Sequence, residues 1–197
     1  MLSRLKTAAI VALFAAAVAS SAAAIASLVA SPAASAAASS VTSPVASPVS
    51  TRNTAPEFTG IDKWLNSDPL TMQQLRGKVV LVDFWTYTCI NCIDVLPYVK
   101  TWNRKYKDQG LVVVGVHTPE YPFERNTDNV KTAIKRLGIT YPVAQDNRYA
   151  TWNAYDNQYW PAFYLVDKTG HVVYTHFGEG DYEQTEAKIK SLLAQNP

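Results

Sequence analysis

The chain contains two cysteines, Cys89 and Cys92, and they form a CxxC pair. Two thiols at this spacing can close a disulfide and can exchange electrons with another disulfide or dithiol through attack by a thiolate. A purely structural disulfide is the weaker interpretation, because so small a loop constrains the unfolded chain very little. The pair therefore favours redox chemistry by thiol–disulfide exchange.

A zinc site is the other use of such a pair, since His171 and His176 follow later in the chain. The gap from Cys92 to His171 is far longer than a zinc finger allows. The two histidines also lie in a segment that alternates like a strand, and they are an odd number of positions apart, so their side chains should point to opposite faces. We expect no metal site, and no cofactor besides the Cys89–Cys92 pair itself.

The segment that must position the cysteines consists of a strand followed by a helix. The apolar run at residues 79–85 is typical of a strand that is buried on both faces. From Ile93 onward apolar residues recur every three or four positions, which predicts a helix from about Cys89 to about Asp108. A cysteine at a helix start lies among backbone N–H groups without intrahelical acceptors, and this position favours the thiolate.

The N-terminal part differs in composition from the rest. Residues 1–30 combine Arg4 and Lys6 with an uncharged stretch from 7 to 30, the pattern of an export signal. That stretch is long enough to span a bilayer but weakly hydrophobic, so we predict a cleaved signal peptide, with a membrane anchor as the alternative. Residues 31–55 are mainly Ala, Ser, Val, Pro and Thr and are predicted to form a disordered tether. The protein is therefore expected in the periplasm or another extracytoplasmic space.

Residues 56–197 are predicted to form one domain. The net charge of the whole chain is +2, and three positive charges, on Arg4, Lys6 and Arg52, precede this domain. The domain itself is thus close to neutral, and no basic patch indicates binding to nucleic acid. We expect a monomer.

Strand and helix patterns alternate along this domain. A second apolar run predicts another buried strand, and Asp167-Lys168-Thr169-Gly170 is a hairpin turn signal. The elements predicted after the first helix are a strand at 111–117, helices at 126–137 and 148–155, a hairpin of strands at 162–166 and 171–177, and a helix at 182–193. This order predicts an α/β domain with a central mixed sheet and helices on both faces.

The segment VDFWTYTCINC resembles the active-site strand and helix of the thioredoxin-like superfamily. That family has an acidic residue six positions before the first cysteine, a tryptophan four before it and a proline five after the second, and Asp83, Trp85 and Pro97 match these places. QYWPAFYLVDKTGHVV resembles the later segment in which a cis-proline opens the hairpin, and Pro161 is the matching residue. The resemblance implies a thioredoxin fold with a helical insertion before the cis-proline hairpin.

Further segments resemble the exported TlpA/ResA branch, whose members reduce disulfides outside the cytoplasm. These are GKVVLVDFW, VGVHTPE and the insertion at 118–155, while WTYTCINC and FGEGDYEQTE resemble the extracytoplasmic thioredoxin-like domain of DipZ proteins. The resemblance covers residues 56–197. It implies a thiol–disulfide oxidoreductase that acts on an exported protein disulfide or dithiol, such as apocytochrome c in cytochrome c maturation. It also implies a CcdA- or DsbD-like membrane protein as the electron donor.

Roles for individual residues follow from this resemblance. Cys89 attacks the substrate disulfide as a thiolate, and Cys92 then attacks the mixed disulfide and releases the substrate. Asp83 lies on the buried strand, where burial should raise its pKa, so it could accept a proton from Cys92; a purely structural acid is the alternative. Glu120 falls where the branch places an acid near the disulfide, which makes it a second candidate for handling the proton; a solvated loop carboxylate is the alternative there.

Trp85, Trp160 and Pro161 are predicted to form the substrate-binding site. A cis bond before Pro161 would leave the backbone of Trp160 free to pair with an extended substrate beside Cys89. The aromatic residues between 149 and 160 are either a platform for a peptide or a sugar, or core residues.

Other functions fit the sequence less well than reductase activity. A peroxiredoxin needs a proline where Val82 stands, and a copper-delivery protein of the Sco type needs CxxxC, although His117 leaves weak metal binding open. A non-catalytic module that binds metal, peptide or sugar on the same fold remains the alternative. Ile90 and Asn91 supply no cation that would strongly stabilise a Cys89 thiolate, so we expect a reductase and not a potent oxidase.

Overall fold

The computed structural model describes residues 53–196. The predicted signal peptide or anchor and almost all of the predicted tether lie outside the described residues. Thr54 pairs with His171 and Ala55 is buried, so these two residues of the predicted tether belong to the fold. Between residues 53 and 196 no helix is long and apolar enough to cross a membrane.

A single mixed sheet forms the centre of the described region. Its strand order is β1-β4-β3-β2-β5-β6. The strands are β1 Lys63–Leu65, β2 Val79–Trp85, β3 Leu111–His117, β4 Val143–Gln145, β5 Ala162–Val166 and β6 Val172–Phe177. β2 pairs in parallel with β3 and antiparallel with β5, while β3 pairs in parallel with β4. The predicted mixed α/β sheet is thereby confirmed.

Four α-helices accompany the sheet in residues 53–196. They are α1 Ile90–Tyr106, α2 Thr127–Leu137, α3 Ala150–Ala154 and α4 Tyr182–Ala194, with 3-10 turns at Lys107–Gln109 and Pro122–Arg125. Helix α1 begins directly after Cys89, as predicted, and contains Pro97. Helix α2 is capped by the side chain of Asn126, which accepts hydrogen bonds from two backbone N–H groups of its first turn.

The core lies on both sides of β2, which explains why the apolar run in the sequence is unbroken. Val79 and Leu81 face one cluster with α1, α2 and α4, and Val80 and Val82 face a second cluster with α3 and the segment 55–75. A strand between two such layers has no polar face, so the usual alternation of apolar and polar residues disappears. Helices on both faces were expected and are confirmed.

The segment 118–155 contains the predicted helices and one strand that was not predicted. It contains α2 and α3 but also β4, which pairs with the end of β3 and with β1. Neither β1 nor β4 was predicted. Each has three residues, too few for a periodic pattern, and only pairing with a neighbour makes them strands.

The ends of β2 and β3 determine where the functional site lies. Trp85 pairs with His117 at the carboxyl ends of these parallel strands. The loop 86–89, which leads to α1, and the loop 118–125 therefore leave the sheet at the same edge. In open α/β sheets this edge is where ligands commonly bind.

Candidate functional site

Cys89 and Cys92 occupy unequal positions at the start of α1. Cys89 is the N-cap residue and half-buried, whereas Cys92 is only 4% exposed. Both thiols are free, and the Cys89 sulfur accepts a hydrogen bond from the backbone N–H of Cys92 at 3.2 Å. The first thiol thus faces an incoming reactant, and the second lies behind it.

Electrostatics separate the two thiols further. A hydrogen bond from the Cys92 side chain lowers the pKa of Cys89 to about 7, against the opposing effects of burial and of the Glu120 charge. Burial, together with the hydrogen bond to Cys89, raises the pKa of Cys92 far above its usual range. Near neutral pH, Cys89 is therefore available as a thiolate while Cys92 remains a thiol.

Asp83 lies in the middle of β2, on the face that α1 covers. It is buried, and its Oδ1 atom has no hydrogen-bond partner. Burial, and secondarily the negative charge of Cys89, raises the pKa of Asp83 to about 8. The charge of Asp83 in turn contributes to the raised pKa of Cys92. Asp83 can therefore change its protonation state near neutral pH, within electrostatic reach of both cysteines.

The surroundings of Asp83 depend on Gly115, the residue opposite it in β3. A Cβ atom at this glycine would lie 2.9 Å from Nε1 of Trp85 and 3.1 Å from Cε2 of Tyr141. Nε1 of Trp85 and the hydroxyl of Tyr141 are buried without hydrogen-bond partners, like Oδ1 of Asp83. Glycine is thus required at position 115, because any larger residue would clash with the side chains of Trp85 and Tyr141, which pack against β3 next to Asp83.

Trp85 does not have the position predicted for it. Its side chain is 3% exposed and belongs to the core cluster under α1, where it packs edge-on against His117. A side chain so deeply buried has no surface to offer a substrate, so the expected substrate contact is wrong for this residue. Its place next to Gly115 instead makes it part of the layer beneath the cysteines.

Trp160 and Pro161 lie where the hairpin begins, and the peptide bond between them is cis, as expected. Pro161 is buried and Trp160 is half-buried. The indole Nε1 of Trp160 donates to the carbonyl of Thr118 at 3.1 Å, and its ring lies 4.2 Å from that of Trp152. The Trp160 side chain therefore joins the hairpin to the loop that follows β3.

The aromatic residues between 149 and 160 divide between core and surface. Trp152 and Tyr155 are buried and contact Phe84. Tyr159 is exposed and packs against Phe177. These residues therefore do not form one continuous platform, and the core alternative holds for Trp152 and Tyr155.

The loop after β3 carries two acids with different surroundings. Glu120, which was predicted, is exposed, and its charge raises the pKa of Cys89. Glu124, which was not predicted, is fully buried and accepts hydrogen bonds from Thr88 and from the backbone of the loop. No local pattern marks a loop carboxylate as buried, because its burial depends on contact with residues that precede Cys89.

An apolar surface was also missed. Ile90, directly after Cys89, is 64% exposed, and Tyr121 and Phe123 are 48% and 54% exposed. The rings of Tyr121 and Phe123 stack at 5.6 Å, and Tyr87 donates its hydroxyl hydrogen to the carbonyl of Phe123 at 3.3 Å. Ile90 is thus the immediate neighbour of the reactive cysteine in the chain, and Phe123 contacts Tyr87, two residues before that cysteine.

The histidines show no arrangement for a metal ion. His117 is buried, its Nε2 lies 3.3 Å from the Thr86 hydroxyl, and burial lowers its pKa to about 4. His171 and His176 face different acids, Asp167 and Asp181. In the part of the chain from 53 to 196, no three His, Cys, Asp or Glu side chains are grouped so that they could hold a metal.

Proteins that are similar in sequence match this chain over about 70% of its length. The chain is 54% identical over 143 residues to the protein DipZ of Mycobacterium tuberculosis, a match that covers 71% of this chain and 21% of DipZ. It therefore spans about a fifth of the length of that relative. It is 34% identical to the thiol-disulfide oxidoreductase YkuV of Bacillus subtilis, covering 73% of this chain and 97% of YkuV.

Among solved structures, the fold matches that of a thioredoxin-like protein in its oxidised form. The TM-score is 0.67 and the identity 33%, with 74% of this chain and 98% of the other covered. The sequence profile of the Redoxin family matches residues 50–193. With a CxxC pair at the start of α1, a mixed sheet of six strands and this match over most of its length, the chain belongs to the redoxin family of thioredoxin-like proteins.

Proposed function

We propose that this protein is a thiol–disulfide oxidoreductase that reduces disulfides in protein substrates through Cys89 and Cys92. The observation that carries the proposal is the inequality of the two thiols, one accessible with a pKa of about 7 and the other buried with a strongly raised pKa. This is the arrangement that a two-step exchange requires. The relative YkuV, which is a thiol-disulfide oxidoreductase, supports the proposal.

The reaction begins when the Cys89 thiolate attacks one sulfur of a substrate disulfide. A bond forms between Cys89 and that sulfur, the substrate S–S bond breaks, and the second substrate sulfur leaves as a thiolate and takes up a proton. Cys92 then loses its proton and attacks the Cys89 sulfur, which closes the Cys89–Cys92 disulfide and releases the first substrate sulfur. Two electrons have passed from the protein to the substrate. An external dithiol must return them before the next cycle.

The second step needs a proton acceptor for Cys92, and we assign this role to Asp83. Asp83 is buried beneath the pair with a pKa raised to about 8, which is far closer to that of a thiol than an ordinary carboxylate would be. A base with such a pKa can both take and return a proton near neutral pH. Glu120, exposed beside Cys89, is the second acid of the site. We propose that its negative charge limits formation of the Cys89 thiolate by raising the pKa of that thiol.

The substrate is proposed to be an extended segment of polypeptide. The backbone of Trp160, before the cis bond to Pro161, is the proposed pairing edge for such a segment. Ile90, next to Cys89 in the chain, and the stacked pair Tyr121 and Phe123, which contacts Tyr87, offer exposed apolar surface. Apolar and aromatic contact of this kind supplies affinity without selecting one sequence.

The cellular setting is proposed from the relatives. We propose that the domain works outside the cytoplasm after export, with residues 1–30 as signal peptide or anchor and 31–55 as the tether. Its electron donor is proposed to be a CcdA- or DsbD-like membrane protein, and its substrate an exported protein such as apocytochrome c.

Reduction of insulin by dithiothreitol, measured as turbidity, tests the activity. The reduced wild type should accelerate the reaction, Cys89→Ser should abolish the acceleration, and Cys92→Ser should accumulate a mixed disulfide that is visible on a non-reducing gel. Equal rates with wild type and Cys89→Ser would instead indicate a non-catalytic binding module on this fold.

A further inference from the structure

Glu124 has an unusual set of hydrogen bonds for a loop residue. One carboxylate oxygen accepts a hydrogen bond from the hydroxyl of Thr88 at 2.5 Å. The other accepts hydrogen bonds from the backbone N–H groups of Glu120 at 2.6 Å and Tyr121 at 2.9 Å. The side chain is fully buried. A buried carboxylate is stable only when its lone pairs are satisfied in this way.

These bonds connect the two loops that leave the carboxyl ends of β2 and β3. Thr88 directly precedes Cys89, the N-cap of α1. Glu120 and Tyr121 belong to the loop that brings a negative charge near Cys89. Glu124 therefore links the residue before the reactive cysteine to the segment that carries the nearby acid. A second bond, from the Tyr87 hydroxyl to the carbonyl of Phe123, joins the same two loops.

Hydrogen-bond donors favour the charged form of this carboxylate. Burial by itself would raise the pKa of Glu124, but hydrogen bonds from Thr88 and Thr86 and from the loop backbone lower it below its usual value. None of the ion pairs between residues 53 and 196 involves Glu124. The charged carboxylate receives donors from both loops. Its hydrogen bonds therefore stabilise the conformation in which the two loops lie next to each other.

We propose that Glu124 is a positioning residue, which holds Glu120 at a fixed place relative to Cys89 and thereby sets how readily the Cys89 thiolate forms. This inference rests on the proposed thiol chemistry of Cys89. It extends that proposal because Glu124 contacts neither cysteine in the structure and acts through Thr88 and Glu120.

A double-mutant cycle on the pH dependence of Cys89 alkylation tests this. Reduced wild type, Glu120→Gln, Glu124→Gln and the double variant are treated with iodoacetamide across a pH series, and mass spectrometry assigns the label to Cys89. Glu120→Gln should lower the midpoint and raise the rate below it about two- to threefold, because a repelling charge is lost. In the Glu124→Gln background, the same change should have almost no effect, since Glu120 is no longer held near the thiol.

Two outcomes overturn the proposal. One is an equal shift from Glu120→Gln in both backgrounds, which would mean that Glu124 does not determine the position of Glu120. The other is no shift in either background, which would mean that Glu120 is not held near the thiol at all. A general loss of stability in Glu124→Gln does not affect this result. The test compares the shift in the Cys89 midpoint that Glu120→Gln causes in each of the two backgrounds, and not the stability of the variants.

Two further variants keep the test decisive if Glu124→Gln folds poorly. Thr88→Val removes one donor and should also reduce the effect of Glu120→Gln, while Thr88→Ser keeps the hydroxyl and should restore it. Glu186→Gln is the matched control, because Glu186 accepts the Tyr106 hydroxyl at 2.5 Å and pairs with Lys105 at the far end of α1. It should leave the Cys89 profile unchanged.

The insulin assay separates this inference from the proposed function. A wild type that reduces insulin but shows additive substitutions would refute the role of Glu124 alone. A wild type that fails to reduce insulin but shows the predicted interaction would refute the activity and leave the role of Glu124 standing.

Discussion

The backbone N–H of Cys92 donates a hydrogen bond to the sulfur of Cys89, 3.2 Å away, across the first turn of α1. Two chemically identical side chains thereby acquire different properties. Cys89 accepts a hydrogen bond from the backbone at the helix start and is half-buried, whereas Cys92 is buried. The order in which they react follows from this relationship and can be measured.

Cys89 should be alkylated before Cys92. Its pKa is lowered to about 7, so its rate should rise with pH and reach half of its maximum near that value, because only the thiolate reacts. Cys92 should remain unlabelled over the same range, since burial raises its pKa. Iodoacetamide labelling of the reduced protein, followed by peptide mass spectrometry, measures both rates. Faster labelling of Cys92 would contradict the assignment.

Asp83→Asn should increase stability and slow the second chemical step. The folded pKa of about 8 lies above the usual 3.8, so folding favours the protonated acid and wild-type stability falls as the pH rises between these values. The slope is at most about 1.4 kcal/mol per pH unit. Asn carries no charge, so the stability difference between variant and wild type should widen from about pH 4 to about pH 8 and then level off.

Urea unfolding of both reduced proteins at several pH values measures this difference, and release of the mixed disulfide measures the chemical step. Unchanged release together with lower stability of Asp83→Asn would show that Asp83 is a structural acid. Asp62, which pairs with Arg148 at the surface, offers a control in Asp62→Asn. The stability difference between Asp62→Asn and wild type should not grow in this way as the pH rises.

Gly115→Ala should destabilise the protein by about 1–3 kcal/mol, the usual cost of overpacking a core. The added methyl group would lie 2.9 Å from Nε1 of Trp85 and 3.1 Å from Tyr141. Trp85→Phe removes the indole nitrogen, so Gly115→Ala should cost less in that background. Denaturant melts of the four proteins measure the interaction, and an equal cost in both backgrounds would show that the indole does not create the constraint.

Phe123→Ser should weaken substrate binding without changing the thiol. Phe123 is exposed, stacks on Tyr121 and contacts Tyr87, two residues before Cys89, so we expect a severalfold higher KM for a disulfide-bonded peptide. The alkylation profile of Cys89 should be unaltered. Tyr159→Ser removes another exposed aromatic side chain, one that packs against Phe177, and should have little effect. Equal changes in KM for both variants would exclude a specific surface at Phe123.

The cellular redox state of the pair should depend on a membrane electron donor. An exported dithiol has no access to cytosolic reductants, so in cells without the CcdA- or DsbD-like protein Cys89 and Cys92 should accumulate as a disulfide. Thiol trapping with an alkylating reagent that adds mass shows the two forms on a gel. A pair that stays reduced without that protein would refute the proposed donor. A pair that is oxidised in both strains would indicate an oxidase.

Local signals in the sequence determined the central features of this protein. The unbroken apolar run predicted β2, the three-to-four spacing after Ile93 predicted α1, and the turn at Asp167–Gly170 predicted the hairpin, all of which the structure contains. The CxxC spacing by itself indicated redox chemistry. Each of these signals lies within a short stretch of chain and depends on backbone preferences or on one layer of packing.

Only the tertiary structure decided which side chains reach the surface and which neighbours they meet. Trp85 proved to be buried because α1 covers it, and β4 became a strand because β3 and β1 pair with it. Glu124 became a buried carboxylate because Thr88, far away in sequence, donates to it. Such contacts join residues that no short window contains together. Their free energy depends on the complete packing of both loops, and it cannot be assigned from the composition of either one.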